Sequence, residues 1–522
     1  MLGRRMRAAW LSALFALAAV PPAFAQGDAM PPGDAENLIS AQARTERALL
    51  VGIDNFVTKP SIYPSSTNNV YAMQEAFQAA QTPLSTLLLP DEPVTSAEEL
   101  TALIRETFAG AREGDVSYLY ISTHGVYQPE SGAEPSLLLS DGVTEGSITP
   151  TQLEAAFDGI PGAKVLILDA CNSGAFIGKG MADPPERTCF VGDDFKVLTS
   201  SGALEESWYW SADETHEPEL KGGKPQGAFY FTQALAQGLS PGSGYPADRN
   251  HDGGVTLGEL YDYLLLTHAA STPQVYPQSD DFVIFRYDIN EPLPTGLDRA
   301  PVMDITFSGT TLSRSSRKIT IEFIAMRPVR VAYQVVYQRE GKWEFDKAQL
   351  IYDEAERFTA FGDRPGAMSA GRKVRSLTIG ELTDGAYGYV LVQLVTIDQG
   401  KLTVQAGRVI CVPPDSGELN LTARVEPALI RKDDRELSIF VGHDYPCALS
   451  VAILDDEDKV VYRLCHRSAT RPMQLEPEGS VFYWDGKLKD GEYADPGAYR
   501  VRVQAVMNDT TATVISDPFT VE

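Results

Sequence analysis

The 522-residue chain is poor in cysteine and short of basic side chains, and each shortage excludes a class of protein. Its 5 Cys are too few for a disulfide scaffold, in which dense bridging replaces a hydrophobic core. Only 44 Lys and Arg oppose 71 Asp and Glu, which gives a net charge of −27. Because so acidic a surface repels phosphate backbones and anionic lipids, we expect no nucleic-acid partner and no peripheral membrane binding.

Hydrophobic runs long enough to cross a bilayer are also lacking. The N-terminal run Ala8–Val20 has about 13 residues, whereas a transmembrane helix needs about 20. Three arginines precede this run and the small-x-small triplet Ala23-Phe24-Ala25 follows it, which is typical of a cleavable signal peptide. We therefore expect a signal peptide at 1–25, cut near Ala25, and a periplasmic or secreted protein without a stable membrane anchor.

The remaining sequence predicts a leader and three domains. Its 43% hydrophobic content supports packed cores rather than disorder. Residues 26–45 are rich in Gly, Pro, Ala and Asp and predict a leader or linker. Short apolar runs alternate with helical patterns over 46–289, which predicts an α/β domain with a mainly parallel sheet flanked by helices. Period-two runs over 300–414 and 418–522 predict two all-β immunoglobulin-like sandwiches.

Two of the predicted α/β strands end in chemically reactive residues. Val116–Ser122 continues into Thr123-His124-Gly125, and Lys164–Leu168 continues into Asp169-Ala170-Cys171. Taken alone, a cysteine or a histidine near a strand end is usually a packed structural residue. Parallel sheets, however, place their functional sites at the carboxyl ends of strands. If the two strands are neighbours, His124 and Cys171 face each other there.

Such a pair can catalyse acyl transfer. The Cys171 thiolate attacks a carbonyl carbon, and the His124 imidazole protonates the leaving amine. Gly125 allows close backbone approach, so the N–H groups of Gly125 and Cys171 can form an oxyanion hole.

At these residues the sequence resembles the caspase clan of cysteine peptidases, which includes caspases, metacaspases and legumains. Ser122–Gly125 resembles the clan's His-Gly motif, and Asp169–Gly174 resembles the metacaspase segment around the nucleophile. His124 precedes Cys171 by 47 residues, near the spacing of about 50 in caspases. The resemblance, over about 48–287, implies a cysteine endopeptidase of protein or peptide substrates. The rival hypothesis is a catalytically silent scaffold whose β domains bind a cell-surface partner.

Substrate preference is predicted from Asp169. Strand residues two apart point to the same side, so Asp169 lies beside Cys171 and Ser122 beside His124 at the rim of one pocket. An ionised Asp169 attracts a cation, which predicts cleavage after Arg or Lys, with Asn as the runner-up and Asp excluded. The alternative is that Asp169 only receives backbone N–H groups at the strand end.

The family resemblance adds three substrate-binding candidates. Asn69 stands where metacaspases keep a second acidic residue. Ser207 and Trp208 belong to a segment that resembles the one after the legumain nucleophile. For Trp208, lining a substrate groove and packing a loop are equally good readings.

A calcium site is predicted at 248–259, which matches an EF-hand loop. Gly253 permits the turn at loop position 6, and the expected oxygen ligands are Asp248, Asn250, Asp252, the Gly254 carbonyl, Thr256 and Glu259. We expect one structural Ca²⁺ and no organic cofactor. The alternative is an Asx-rich loop that caps the following helix. The histidines lack the spacing of zinc ligands, so we predict no zinc site.

Two further expectations concern covalent chemistry. A hairpin turn centred on Asp456 would set Cys447 opposite Cys465, which predicts a disulfide. The stretch Phe176–Asp194 predicts an activation loop, with Lys179 and Arg187 as points of self-cleavage.

Overall fold

The computed structural model describes residues 44–522 except 82–83, 183, 185–186, 213–224, 269, 313–316, 340–341, 353–366, 380–386, 399–400, 415, 432–435, 472–478 and 489–490. The predicted signal peptide and almost all of the predicted leader lie outside the described residues. Within the described ranges, no helix combines the length and hydrophobicity needed to cross a membrane.

In the described part of residues 46–286, the α/β region contains thirteen strands and five α-helices. The strands are β1 (Glu46–Gly52), β2 (Thr86–Leu88), β3 (Val116–Ser122), β4 (Gly125–Val126), β5 (Ser136–Ser140), β6 (Glu145–Ile148), β7 (Ala163–Asp169), β8 (Phe195–Thr199), β9 (Tyr209–Ala212), β10 (Gln226–Phe229), β11 (Gly254–Thr256), β12 (Gln274–Tyr276) and β13 (Val283–Arg286). The helices are α1 (Ser65–Gln78), α2 (Ala97–Thr107), α3 (Pro150–Ala156), α4 (Tyr230–Gly238) and α5 (Leu257–Thr267).

Six of these strands form the central sheet, in the order β12–β8–β7–β3–β1–β2. All neighbours are parallel except β12, which pairs antiparallel with β8 at one edge. Helices α2 and α3 contribute to the hydrophobic core on one face, and α1, α4 and α5 contribute to the core on the other. Because both faces are covered, the central strands are continuous apolar runs. The predicted α/β class with a mainly parallel sheet is confirmed.

The register of the sheet aligns the two reactive strand ends. Strands β3 and β7 are neighbours, and Ser122 at the end of β3 lies opposite Asp169 at the end of β7. The Thr123 N–H donates to the Asp169 carbonyl at 3.2 Å, so the two chains remain adjacent where they leave the sheet. His124 and Cys171 therefore follow neighbouring strands at the same level.

The rest of the described chain is all-β, as predicted. The middle β region contains β14 (Val302–Phe307), β15 (Lys318–Ala325), β16 (Val329–Arg339), β17 (Lys342–Trp343), β18 (Gln349–Tyr352), β19 (Ala367–Met368), β20 (Gly371–Thr378), β21 (Gly388–Asp398) and β22 (Lys401–Val412). Strands β14, β15 and β20 form one sheet, while β16, β21 and β22 belong to a second, and both supply one core.

The C-terminal β region contains β23 (Leu421–Glu426), β24 (Leu429–Ile430), β25 (Leu437–His443), β26 (Ala448–Leu454), β27 (Val460–Ala469), β28 (Gly479–Trp484), β29 (Gly497–Met507), β30 (Thr510–Ile515) and β31 (Phe519–Val521). It is also built from two main sheets, β23–β25–β28 and β24–β31–β29–β26–β27, around one core. The immunoglobulin-like classification of both β regions stays a prediction.

The middle β region packs directly on the α/β region. Tyr230 at the start of α4 stacks on Phe345 with 5.1 Å between ring centroids. The Trp343 indole N–H donates to the Ala270 carbonyl at 3.0 Å. These contacts belong to one buried apolar cluster, so Thr45–Glu522 forms a single compact unit.

The predicted disulfide is wrong, because Cys447 and Cys465 are both free thiols. The hairpin β26–β27 forms as expected, but three register shifts within it place Cys465 opposite Val451. Cys447 instead lies next to Thr470, whose N–H donates to the Cys447 carbonyl at 2.9 Å. Each bulge adds an unpaired residue to one strand, which a count of residues from the turn does not reveal.

Candidate active site

The segments that carry His124 and Cys171 are in direct backbone contact. A Cβ atom built on Gly125 would lie 1.9 Å from the Cys171 carbonyl oxygen, so only glycine fits at this position. Cys171 is followed by Asn172 in the left-handed conformation, with φ 58°. Asparagine tolerates this conformation better than most residues, and here it turns the chain into a short 3₁₀ helix, Ser173–Ile177. The predicted dyad segments are therefore brought together at the end of the sheet.

A backbone carbonyl orients the imidazole of His124. Its Nε2 atom lies 3.0 Å from the Pro60 carbonyl oxygen. Because a carbonyl only accepts hydrogen bonds, Nε2 carries the proton, and Nδ1 of the neutral ring keeps its lone pair. Burial lowers the pKa of His124, which favours the neutral form. The ring is also packed against Phe56, with 4.5 Å between centroids. His124 is thus a neutral base with Nδ1 free to accept a proton.

The Cys171 thiol is directed at a different acceptor. Its Sγ donates to the Ser207 carbonyl at 3.6 Å. Burial raises the pKa of Cys171 to about 12, so the sulfur is a protonated thiol. Among the described residues, His124 and Cys171 share no hydrogen bond. His124 contacts the Pro60 carbonyl, and Cys171 contacts the Ser207 carbonyl. Catalytic hydrogen bonds often tighten only when substrate is bound, so this arrangement is compatible with a catalytic pair.

Asp169 is fully buried beneath the dyad and is held by hydroxyl groups. Its carboxylate accepts hydrogen bonds from Ser207 Oγ at 2.9 Å and from Thr232 Oγ1 at 2.6 Å. Burial raises the pKa of Asp169 to about 6, and these hydrogen bonds limit the rise. At neutral pH the carboxylate is therefore mainly ionised. The cradle consists chiefly of side-chain hydroxyls, unlike the backbone N–H cradle considered as the alternative.

Asn69 and Ser122 belong to the same buried polar network. Asn69 Nδ2 donates to Ser122 Oγ at 3.0 Å, and Asn69 Oδ1 accepts from the Phe229 N–H at 3.1 Å. Tyr120 links this pair to the Asp169 cradle through a 2.6 Å hydrogen bond to Thr232. The network is enclosed, whereas the sequence predicted Asp169 and Ser122 at the rim of one pocket. A cavity of about 220 Å³ lies beside Gly52, the register partner of Ser122, and none of the residues of the network lines it.

The two remaining substrate-binding candidates have different surroundings. Ser207 contacts both Asp169, through its hydroxyl, and Cys171, through its carbonyl. Trp208 packs against Phe345 of the middle β region, with 5.1 Å between ring centroids. For Trp208 this contact favours the loop-packing reading over a groove.

The sequence did not identify Pro60, Thr232 and Glu205 as site residues. Pro60 orients His124, Thr232 holds Asp169, and the Glu205 carbonyl accepts the Asn172 N–H at 2.8 Å. Two of these contacts use backbone carbonyls, which any residue type supplies.

The predicted calcium loop adopts a turn around Asp248. The two carboxylate oxygens of this buried residue accept the N–H groups of His251 at 2.7 Å and Gly253 at 3.0 Å. Gly253 has φ +86°, as the tight turn requires. The Asn250 and Asp252 side-chain oxygens accept the N–H groups of Asp252 and Gly254 at 2.9 and 2.8 Å.

Glu259 is directed at the start of α5 instead. Its carboxylate accepts from the Thr256 N–H and hydroxyl, both at 3.0 Å, while Thr256 Oγ1 accepts the Glu259 N–H. In the described part of the chain, no three His, Cys, Asp or Glu side chains form a group that could hold a metal ion. The side chains of the loop carry oxygen atoms, which are the ligand type that Ca²⁺ prefers. For Glu259 to serve as a sixth ligand, its carboxylate has to leave the Thr256 N–H and hydroxyl.

Lys179 does not fit the role of a self-cleavage point. Its side chain is only 3% exposed, so a protease cannot reach the adjacent bond in this arrangement. Arg187 lies over the Tyr276 ring, 3.5 Å from its centroid, and self-cleavage there stays a prediction.

Comparison with known proteins gives one family match. The family model described as "Caspase domain" matches residues 45–397. No curated protein matches the chain. Among solved structures, caspase-1 from Spodoptera frugiperda is 15% identical with a TM-score of 0.30, over 47% of this chain and 93% of that one.

Two further solved structures are similar over parts of the chain. Dimeric latent PorU from Porphyromonas gingivalis is 15% identical with a TM-score of 0.18, over 48% of this chain and 22% of that one. The CupB2 chaperone from Pseudomonas aeruginosa is 11% identical with a TM-score of 0.21, over 41% of this chain and 98% of that one. All three TM-scores are low, so these similarities add nothing to the family match.

Proposed function

The chain belongs to the caspase-domain family of cysteine peptidases, and from this premise we propose that it is an exported cysteine endopeptidase. Cys171 is the nucleophile and His124 the general acid and base. The observation that carries the proposal is the hydrogen bond between His124 Nε2 and the Pro60 carbonyl, because it leaves Nδ1 as the proton acceptor.

Catalysis begins when the Cys171 thiol turns from the Ser207 carbonyl towards His124. Nδ1 takes the proton, and the thiolate attacks the carbonyl carbon of the scissile bond. The N–H groups of Gly125 and Cys171 stabilise the oxyanion. His124 then protonates the leaving amine, and it later activates the water that hydrolyses the thioester.

A thiol-reactive peptide probe tests the assignment of the nucleophile. We expect labelling and peptide hydrolysis in the wild type, loss of both in Cys171→Ala, and retention in Cys189→Ala. Labelling that survives Cys171→Ala contradicts the assignment.

A catalytically silent scaffold is the second candidate. It is favoured by the separate hydrogen bonds of His124 and Cys171 and by the high pKa of the thiol. A wild-type protein that hydrolyses no member of a peptide library, and whose β regions retain a cell-surface partner, would support the scaffold.

We propose that the enzyme cleaves after Arg or Lys. The ionised Asp169 attracts the positive charge of the substrate's Arg or Lys side chain. Asn69 and Ser122 supply polar groups in the same network.

Three further proposals follow the sequence predictions. The mature protein starts near residue 26 and acts in the periplasm or outside the cell. Its domains are 46–289, 300–414 and 418–522. The loop 248–259 binds one structural Ca²⁺ through oxygen ligands of its own residues, and this ion stabilises the start of α5.

A further inference from the structure

Cys171, the proposed nucleophile, and its neighbour Asn172 form hydrogen bonds with one short segment, residues 202–207, which we call the supporting segment. The Asn172 N–H donates to the Glu205 carbonyl at 2.8 Å, and Asn172 Nδ2 donates to the Ala203 carbonyl at 2.9 Å. The Cys171 thiol donates to the Ser207 carbonyl at 3.6 Å. Three hydrogen bonds from two consecutive residues therefore fix Cys171 relative to this segment.

The side chain of Glu205 holds the supporting segment in place. Its partly buried carboxylate accepts from the Gly202 N–H at 3.2 Å and from the Thr272 N–H at 2.8 Å. Burial raises the pKa of Glu205, while these hydrogen bonds and the positive charge of Arg471 oppose the rise. A buried carboxylate needs such a compensating charge, because desolvation otherwise makes it costly.

Arg471 supplies that charge from the C-terminal β region. Its guanidinium group donates to the carbonyls of Ser271 at 2.6 Å, Leu265 at 3.0 Å and His268 at 3.4 Å. These carbonyls lie at and just beyond the C-terminal end of α5, where a cation is favourable. Arg471 thereby fixes the turn that presents Thr272 to Glu205.

A second connection runs through Lys179. The Ala203 N–H of the supporting segment donates to the Lys179 carbonyl at 2.8 Å. The Lys179 ammonium group pairs with Glu436 at 2.6 Å and lies 4.6 Å from the centre of the Tyr483 ring. The neighbouring Gly180 N–H donates to the Tyr483 hydroxyl at 2.7 Å. Glu436 and Tyr483 both belong to the C-terminal β region.

We propose that the C-terminal β region positions the nucleophile. Arg471 acts through Glu205, and Tyr483 acts through the loop at Lys179, so that both are positioning residues for Cys171. The proposal rests on the proposed peptidase function and deepens it, since it makes the C-terminal β region part of the catalytic unit instead of a detachable binding module.

Two substitutions in the full-length chain test this positioning. Arg471→Gln removes the charge, and Tyr483→Phe removes only the hydroxyl that accepts from Gly180 and keeps the ring. Arg424→Gln is the matched control. Arg424 crosses the same interface, where it donates to the Ala182 carbonyl at 3.2 Å.

Activity is measured as kcat per reactive Cys171, whose concentration is titrated with an irreversible thiol probe. A smaller folded fraction therefore does not lower the measured kcat. The alkylation rate of Cys171 by iodoacetamide, followed by peptide mass spectrometry, is the second readout. Because small displacements of reacting groups are costly, we expect Arg471→Gln to lower kcat per thiol about tenfold with little change in KM. Arg471→Lys recovers part of this loss. Tyr483→Phe gives a smaller loss, and both Arg471→Gln and Tyr483→Phe change the alkylation rate.

Unchanged kcat per thiol in Arg471→Gln and Tyr483→Phe would overturn the proposal, and so would an equal loss in Arg424→Gln. If Arg471→Gln does not fold, Tyr483→Phe decides, because it retains the packing of the ring. If the wild type hydrolyses no peptide, the proposed function fails. The alkylation rate then still tests whether the C-terminal β region positions Cys171.

Discussion

The Nε2 atom of His124 lies 3.0 Å from the carbonyl oxygen of Pro60. This contact gives the imidazole a fixed tautomer without a carboxylate partner. The Pro60 hydrogen bond by itself raises the pKa of the ring, but burial lowers the pKa by more, so the net pKa of His124 is lowered. The proposed general base is therefore oriented and neutral at the same time.

The pH dependence of activity follows from this environment. Burial lowers the pKa of His124 below its ordinary value of 6.5. The neutral ring is the base, so activity is lost when the ring becomes protonated as the pH falls. We expect the acid limb of a kcat/KM profile against pH to lie below pH 6.5. An acid limb above that value would contradict the prediction, and Asp158→Asn, an exposed charge change, should leave the profile unaltered.

Gly125→Ala should separate the two halves of the dyad. A Cβ atom there would lie 1.9 Å from the Cys171 carbonyl oxygen, so one strand end has to move. We expect kcat/KM to fall by more than about tenfold, because the reacting groups are displaced. Gly497→Ala is the control, since its nearest neighbour would be 3.8 Å away. Equal activity of the two variants would show that the close approach is unimportant.

The sequence predicted those parts of the site that depend on residue type. His124 and Cys171 follow neighbouring parallel strands, and the rule for such sheets places both at one end. Pro60 contacts His124, and Glu205 contacts Asn172, through backbone carbonyls, so the sequence contains no signal for these two contacts. The pairing of Cys465 failed because β-bulges shifted the register of its hairpin. Likewise, the position of Arg471 against α5 depends on packing between regions far apart in the chain.

Substrate preference should depend on the charge of Asp169. In the wild type, fluorogenic peptides that differ only before the scissile bond should be cleaved faster after Arg and Lys than after Asn, and least after Asp. Losing one partner of a buried charge pair is costly, so Asp169→Asn should lower kcat/KM for Arg and Lys peptides by about tenfold or more. The Asn peptide should change little. Faster wild-type cleavage after Asp than after Arg, Lys or Asn would refute the role of Asp169.

Calcium should stabilise the protein through the loop 248–259. A single loop of this kind in an exported protein binds with a Kd of about 10⁻⁴ to 10⁻³ M. Millimolar Ca²⁺ should therefore raise the Tm of the wild type, and a chelator should reverse the rise. Glu259→Gln keeps a side chain that can cap α5 and removes the ligand charge, so its Tm should not respond. Equal responses of wild type and Glu259→Gln, or no response in either, would count against the site.

Asp169 should also make the protein less stable at neutral pH than it is in acid. Burial raises the pKa of Asp169 from 3.8 to about 6, so the folded state binds the proton more tightly than the unfolded state. Stability from this group is fully present below the unfolded pKa and is lost as the pH rises through the folded one. The shift corresponds to a cost of about 3 kcal/mol for burying the charged carboxylate. Asp169→Asn should therefore unfold at higher urea concentration than the wild type at pH 7, with the difference shrinking towards pH 4. A wild type that is more stable than Asp169→Asn at pH 7 would contradict a raised pKa of Asp169 in the folded state.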